Sequence, residues 1–545
     1  MRLPILFIIA KRFSLFLIAL SISACAAPDV EQKVEQKALP DAQPQIETKH
    51  AIYLGQNSEG SKGSAVQAFL GIPFAQAPVG DLRWAAPQAL VRPQSIPVVQ
   101  ATEFAAACMQ GPHLANWYKN VIESFGGDPQ SFPTPQFSED CLFLNIWAPK
   151  QQQGKPLPVF VFIHGGSNKG GWSFEPNYIG QNLARQGAIV VTIAYRVGAF
   201  GFFSHPQLAQ ANFGLLDQIA ALDWIKNNIA EVGGDPNNVT VAGESSGASN
   251  IAYLMASPLA RGLFQRVIHQ SAGWAMYRGA SKVEQDSLGE ALALSLNDSG
   301  DSSIATLRTV DAKKTLAAAA QTYQKHFFDP VIDGDSVLKK LAESAKLGEL
   351  ADVDLMIGTN ANESRMYLPQ GATMTSWIAE NLRNDDQAIS QDAIIASLNV
   401  GSQSDEDLAL AQLDQLATSV NYTCPSFLLA KAHATKGGRT WVYHFTKQRD
   451  GELGAKMGAY HGAELPYVFN THDDWLPTSE DDHLITNSIM QYWLSFAESG
   501  NPNTKTLPDW QAFEKSDDQV QYLGLQVKSA VHPSAALCQL LEEQN

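Results

Sequence analysis

Two uninterrupted apolar runs constrain this chain more than any other feature. "LPVFVFIHGG" (Leu157–Gly166) and "GAIVVTIAY" (Gly187–Tyr195) show no alternation of apolar and polar residues. A strand with one wet face alternates with period two. A run that is apolar at every position needs cover on both faces. Further strands read as "RVIHQSAG" (Arg266–Gly273), "DLMIGTN" (Asp354–Asn360) and "TWVYHF" (Thr440–Phe445). Between them, "LLDQIAALDWIKNNIAEV" (Leu215–Val232) sets Leu216, Ile219, Ala220, Leu222 and Ile225 at helical spacing, which predicts an amphipathic helix. Strands alternating with helices predict an α/β fold: a large, mostly parallel central sheet flanked by helices. Chemistry in such folds sits at the carboxyl ends of strands.

"NVTVAGESSGASN" (Asn238–Asn250) carries the sharpest local signal. Gly243-Glu244-Ser245-Ser246-Gly247 fits G-x-S-x-G with Ser245 at its centre. In a nucleophile elbow, a tight strand-to-helix turn lifts one serine hydroxyl above the sheet edge. Glycines on either side keep Cβ atoms out of the turn. Asn238–Ala242 reads as the strand, and "ASNIAYLMA" (Ala248–Ala256) as the helix. A chance G-x-S-x-G in a chain this long is roughly a one-in-six event, so the rest of the chain must supply partners.

His164-Gly165-Gly166-Ser167 follows the Leu157 run directly, and successive glycines can turn backbone N–H groups toward a developing negative charge. Glu363 in "GTNANES" offers a carboxylate just beyond a buried strand. Asp333 in "DPVIDGD" is its rival, following a less clear strand. Of twelve histidines, His461 in "GAYHGAELPYVF" is the best base, because small residues on both sides let its ring approach other groups. His164 reads as a brace for the glycine turn, and His269 and His444 as packed within strands. The order Ser245, Glu363, His461 is that of α/β-hydrolases.

The 545 residues carry 38 Lys and Arg against 55 Asp and Glu, a net charge of −17. That charge, with no basic run, argues against a nucleic-acid partner. Residues 1–24 read as an export signal: Arg2, Lys11 and Arg12 precede the ten-residue apolar core "FSLFLIALSI", too short to span a bilayer. "ISAC" (Ile22–Cys25) resembles the lipobox of bacterial lipoproteins, which implies lipidation of Cys25 and attachment to a membrane. Ala26 after the cysteine favours the outer membrane. Ordinary cleavage near "SACAA" is the alternative and would give a periplasmic or secreted protein. Residues 25–49, polar and proline-punctuated, are expected to form a flexible tether, leaving 50–545 as one catalytic domain.

Four cysteines remain: Cys108, Cys141, Cys424 and Cys538. In an exported chain they predict two disulfides, with three pairings open. Pairing Cys108 with Cys141 and Cys424 with Cys538 closes one local and one long loop. No C-x-x-C or histidine pair has metal-ligand spacing.

Taken with "FLGIPFAQAPVGDLRW" (Phe69–Trp84), "SEDCLFLNIW" (Ser138–Trp147), "YRVGAFGFF" and "FAESGNPN", these blocks resemble the type-B carboxylesterase/lipase family, which includes cholinesterase-like enzymes. The similarity runs from about residue 50 to 515. It implies an α/β-hydrolase fold with helical insertions over the active site and no cofactor or metal. It implies Ser245 as nucleophile, Glu363 as acid and His461 as base, with N–H groups of Gly166, Ser167 and Ser246 as the oxyanion hole. It also implies the disulfides Cys108–Cys141 and Cys424–Cys538, and a hydrogen bond from Ser271 to the acid. Departures are Ser167 for the usual third glycine, Ser246 for the usual alanine, and Ser364-Arg365 after the acid, where a cation enters the neighbourhood.

The resemblance implies a serine carboxylesterase for small to medium esters. Trp117, Trp172, Phe174, Trp274, Phe327, Phe328 and Tyr367 are candidates to line an apolar or aromatic pocket. A lipase for longer-chain lipid esters and an inactive cholinesterase-like binding protein are the alternatives. The simultaneous presence of Ser245, Glu363 and His461 disfavours the latter.

Overall fold

The computed structural model describes residues 43–58, 65–150, 154–297, 300–382, 389–400, 405–514 and 518–543. The expected signal segment, Cys25 and the tether as far as residue 42 lie outside these. Residues 43–545 form one compact unit.

Its centre is an eleven-stranded sheet. In chain order the strands are β1 (Gln56–Ser58), β2 (Val66–Pro73), β3 (Phe143–Pro149), β4 (Leu157–Ile163), β5 (Ile189–Ile193), β6 (Gly234–Glu244), β7 (Arg266–Gln270), β8 (Asp354–Asn360), β9 (Thr440–Phe445), β10 (Gln519–Leu523) and β11 (Lys528–Val531). In space the order is β11-β10-β9-β8-β7-β6-β4-β5-β3-β2-β1. Neighbours run parallel from β5 through β10. The pairs β1–β2, β2–β3, β3–β5 and β10–β11 are antiparallel.

The unbroken apolar runs are explained by cover on both faces. On one face Val159, Val161 and Ile163 pack in a cluster with Leu215, Leu222 and Ile225 of helix α2 (Phe213–Asn228) and Ile251 and Leu254 of α3 (Ser246–Ala256). On the other, Phe160 and Phe162 meet Ile485, Ile489 and Phe496 of α6 (Glu480–Ser499). Phe162 also stands edge-on to Phe469, with ring centres 5.0 Å apart. Helix α2 is less amphipathic than its spacing predicts: even Asp217 and Gln218 are fully buried. Asp217 is neutralised there by a two-pronged pair with Arg196, Nε to Oδ2 at 2.8 Å and Nη2 to Oδ1 at 2.7 Å.

The expected tether boundary at residue 49 is wrong. Gln45–Glu47 is a strand paired antiparallel with Ile52–Leu54, and Val98–Gln100 completes this small sheet. Its burial alternates, with Ile46 at 0% exposure between two exposed residues. One apolar side chain among polar neighbours suffices to anchor a three-residue strand, so the domain begins by residue 43.

Cys108–Cys141 and Cys424–Cys538 are both bonded, as the resemblance implies. The first closes a 33-residue loop that carries α1 (His113–Ser124). The second joins the start of α5 (Cys424–Thr435) to the C-terminal helix α7 (Ala535–Glu542). Helical insertions lie between β7 and β8 and between β8 and β9, the latter including α4 (Asp405–Thr418), and they contribute Trp274, Phe327, Tyr367 and Tyr422 to the cavity that holds Ser245.

Candidate active site

Strand β6 ends at Glu244 and α3 begins at Ser246, so Ser245 alone makes the turn, at φ 56° and ψ −131°. A positive φ is strained for a serine and must be imposed by its surroundings. Ser245 N–H donates to Gln270 O at 2.9 Å, and Ser249 N–H donates to Ser245 O at 3.0 Å. The glycines are required by close approach. A Cβ on Gly247 would collide with the Ile163 carbonyl oxygen, and one on Gly243 would lie 2.8 Å from that same atom. A Cβ on Gly165 would stand 2.8 Å from that of Ser245, so glycine there lets the β4 loop reach the elbow.

Glu363 lies in the turn after β8 and is completely buried. His461 follows β9 by a short helix, Gly451–Met457. Its Nδ1 is 2.7 Å from Glu363 Oε2, and its Nε2 is 2.9 Å from Ser245 Oγ. A proton on Nδ1 is donated to the carboxylate, leaving the Nε2 lone pair facing the serine hydroxyl. Glu363 Oε1 accepts Asn360 N–H at 2.7 Å.

The two loops are stitched together. Asn362 N–H donates to Ala459 O, and Ala459 N–H to Asn362 Oδ1, both at 3.0 Å. Asn360 Nδ2 donates to Tyr460 O at 2.8 Å.

Sequence reasoning missed two carboxyls. Glu464 accepts from Asn360 Nδ2 at 2.6 Å and from Gln270 Nε2 at 2.8 Å, tying the base loop to β7 and β8. Burial raises its pKa. Glu244 Oε1 lies 3.1 Å from His461 Nε2. The contact is electrostatic: Glu244 Oε1 has no hydrogen-bond partner among the described residues. Both pKa values move accordingly. Glu244 is raised, chiefly by burial. Burial alone would lower His461, but the charges of Glu244 and Glu363 and the Glu363 hydrogen bond together raise it above the ordinary imidazole value. The signals were present: Glu244 fills the variable position of G-x-S-x-G, and Glu464 stands three residues after His461.

Opposite the elbow, Gly166 and Ser167 adopt φ 105° and 57°. Lys169 N–H donates to Gly166 O at 3.0 Å, and Asn168 N–H donates to Ser246 Oγ at 3.0 Å. The extra hydroxyl of Ser246 thus holds the oxyanion-loop backbone. Among the described residues, no acceptor takes the N–H of Gly166, Ser167 or Ser246, and all three line the cavity that holds Ser245. His164 braces this turn as expected: Nδ1 is 2.9 Å from Gly165 O, and the ring stacks on Tyr195. Burial lowers its pKa to about 4, so the ring stays neutral.

The cavity encloses about 410 Å³. Trp117, Trp274, Phe327 and Tyr367 line it as expected, joined by Tyr118, Tyr178 and Tyr422. Trp172, Phe174 and Phe328 do not; they pack within or against core clusters. Glu175, also in the wall, is pushed up to about 7 by burial.

Three further expectations resolve. Asp333 is no part of the site: it accepts the N–H groups of Asp335, Ser336 and Val337 and caps its own turn. Arg365 does not line the cavity and acts electrostatically on Asp414, which accepts from Asn362 at 2.7 Å. The expected Ser271 bond to the acid is not formed. Both Glu363 oxygens are occupied by Asn360 and His461, and the buried Ser271 hydroxyl has no partner among the described residues.

A parallel sheet with a serine elbow at one strand end, and with a carboxylate and an imidazole on later loops, defines an α/β-hydrolase. The profile of the carboxylesterase family matches residues 42–540. The chain is 32% identical over 492 residues to a human protein named cocaine esterase, covering 86% of this chain and 85% of that protein. It is 33% identical over 521 residues to a fumonisin B1 esterase of Sphingopyxis macrogoltabida, covering 88% of each. Among solved structures, one described as a PNB esterase superposes with a TM-score of 0.74 at 29% identity, covering 92% of this chain and 100% of that one. The chain belongs to the carboxylesterase family and is a carboxylic-ester hydrolase.

Proposed function

We propose that Ser245, His461 and Glu363 hydrolyse esters through an acyl-enzyme. His461 Nε2 takes the Ser245 proton while Oγ attacks the ester carbonyl carbon. The resulting oxyanion is met by the N–H groups of Gly166, Ser167 and Ser246, each contributing about 3 kcal/mol to the transition state. The C–O bond to the alcohol breaks, and the alcohol leaves with the proton held on His461. Water then gives a proton to His461 and attacks the acyl carbon, releasing the carboxylic acid and restoring Ser245. Glu363 orients the ring and stabilises the imidazolium throughout.

The observation that carries this reading is the unbroken line from Glu363 Oε2 to His461 at 2.7 Å and from His461 to Ser245 Oγ at 2.9 Å. The aromatic cavity suits small to medium esters with an apolar or aromatic part. A fluorophosphonate probe should label the native protein and not Ser245→Ala; labelling of the variant, or none of the native protein, overturns the assignment.

We further propose that Cys25 carries a lipid anchor that holds the enzyme on a bacterial membrane, in keeping with the sequence "ISAC" after an apolar core. Metabolic incorporation of labelled palmitate, lost in Cys25→Ser, is the test.

A further inference from the structure

The aromatic cavity contains a charge that hydrolysis of a neutral ester does not use. Arg278 is the only arginine or lysine among the described residues that line it. Its guanidinium lies over the Phe327 ring, with Cζ 3.9 Å from the ring centre and 5.7 Å from that of Trp274. Such cation–π contact holds the group against the aromatic wall. Nη1 donates to Asp329 Oδ2 at 2.9 Å. Among the described residues no other acceptor engages the side chain, so the remaining N–H groups of the fork have no protein partner. Side-chain exposures of 31% for Arg278 and 18% for Asp329 place the pair at the cavity wall rather than in the core.

The cation is close to the chemistry. Trp274 stands edge-on to Tyr422 at 5.3 Å, and Tyr422 lies 5.2 Å from the His461 ring. The charge of Arg278 also acts on Tyr422.

The other acidic groups of the wall do not oppose an anion strongly. Burial raises the pKa of Glu244 and lifts that of Glu175 to about 7, which favours their neutral forms, and Asp329 is already paired. A planar fork, held against the aromatic wall and by one carboxylate at one corner, presents its free edge to a second carboxylate.

We propose that Arg278 binds a carboxylate carried by the ester substrate, so that the cavity prefers esters with a free acid group to neutral esters of equal length. This rests on the ester-hydrolase reading and specifies its substrate class. Asp329 then acts as a positioning residue that competes for the same guanidinium.

The test compares kcat/KM for p-nitrophenyl hydrogen adipate with that for p-nitrophenyl hexanoate. The native enzyme should favour the adipate. Arg278→Met should lower the adipate-to-hexanoate ratio by about 10- to 100-fold, the effect of losing a charge-assisted hydrogen bond. Arg278→Lys, which keeps the charge without the fork, should fall between. Asp329→Asn should raise the ratio, because it releases the guanidinium edge. Free adipate should inhibit the native enzyme competitively, and the Arg278→Met variant more weakly.

A pair serving only as a strut predicts something else: Arg278→Met and Asp329→Asn would impair both esters alike and leave the ratio unchanged. That result overturns the proposal while leaving the hydrolase reading intact. Absence of turnover on both esters by the native enzyme would overturn the hydrolase reading and this one with it.

Discussion

Glu244 Oε1 lies 3.1 Å from His461 Nε2, beside the Ser245 hydroxyl. Attack by Ser245 needs a free lone pair on His461 Nε2. Because the neighbouring carboxylates raise the His461 pKa, the acid limb of the kcat/KM profile should lie above the ordinary imidazole value of about 6.5. Glu244→Gln removes one of those negative charges. Imidazolium is then less favoured, and the limb should move down by about one pH unit or more. A pH–rate profile of the two proteins checks the sign; an upward shift would contradict it.

The acid can be assigned by a paired substitution. Glu363→Gln leaves an amide beside His461 Nδ1 and should lower kcat by about 10⁴-fold. Asp333→Asn touches a turn cap and should leave kcat near the native value. Steady-state kinetics on both variants decides between the two carboxylates.

The elbow glycines predict a stability contrast. Gly247→Ala drives a methyl into the Ile163 carbonyl oxygen and should cost about 3 kcal/mol, the upper end of overpacking losses. Gly371→Ala meets no atom within 4 Å and bears only the strain of φ +76°, about 1 kcal/mol. Thermal unfolding should rank Gly247→Ala below Gly371→Ala, and both below the native protein.

Truncation tests where the domain begins. The protein lacking residues 1–42 is the reference. Removing residues 1–49 deletes the Gln45–Glu47 strand and the buried Ile46 side chain, and should cost about 2–3 kcal/mol. Equal melting temperatures for the two products would restore a boundary at residue 49.

These contrasts also mark what the chain discloses before folding. Strands β4 and β5 are legible because cover on both faces leaves nearly every position apolar, as at Val159–Ile163. Ser245, Glu363 and His461 are legible because each sits at a strand end or among small residues that permit close approach. The Glu244–His461 contact is not, since it depends on how two loops 200 residues apart are set in three dimensions. The same holds for Asn360, whose backbone N–H donates to Glu363 while its Nδ2 donates to both Tyr460 O and Glu464. Ser271 misled because its neighbourhood in the chain matches the family, while both oxygens of its expected partner are already taken. Ile46 was missed because a three-residue strand has too few positions to show a period.

The triad rests on the sheet, whereas the wall formed by Trp117 and Tyr118 is carried on α1 inside the loop closed by Cys108 and Cys141. Bond cleavage and this part of the wall are therefore carried on different parts of the chain, joined where Gln110 exchanges two hydrogen bonds with Gly171 beside the oxyanion loop. Exchanging the disulfide-bounded segment for that of a relative would re-tailor the aperture, and retaining Gln110 would keep the oxyanion loop braced while it does so.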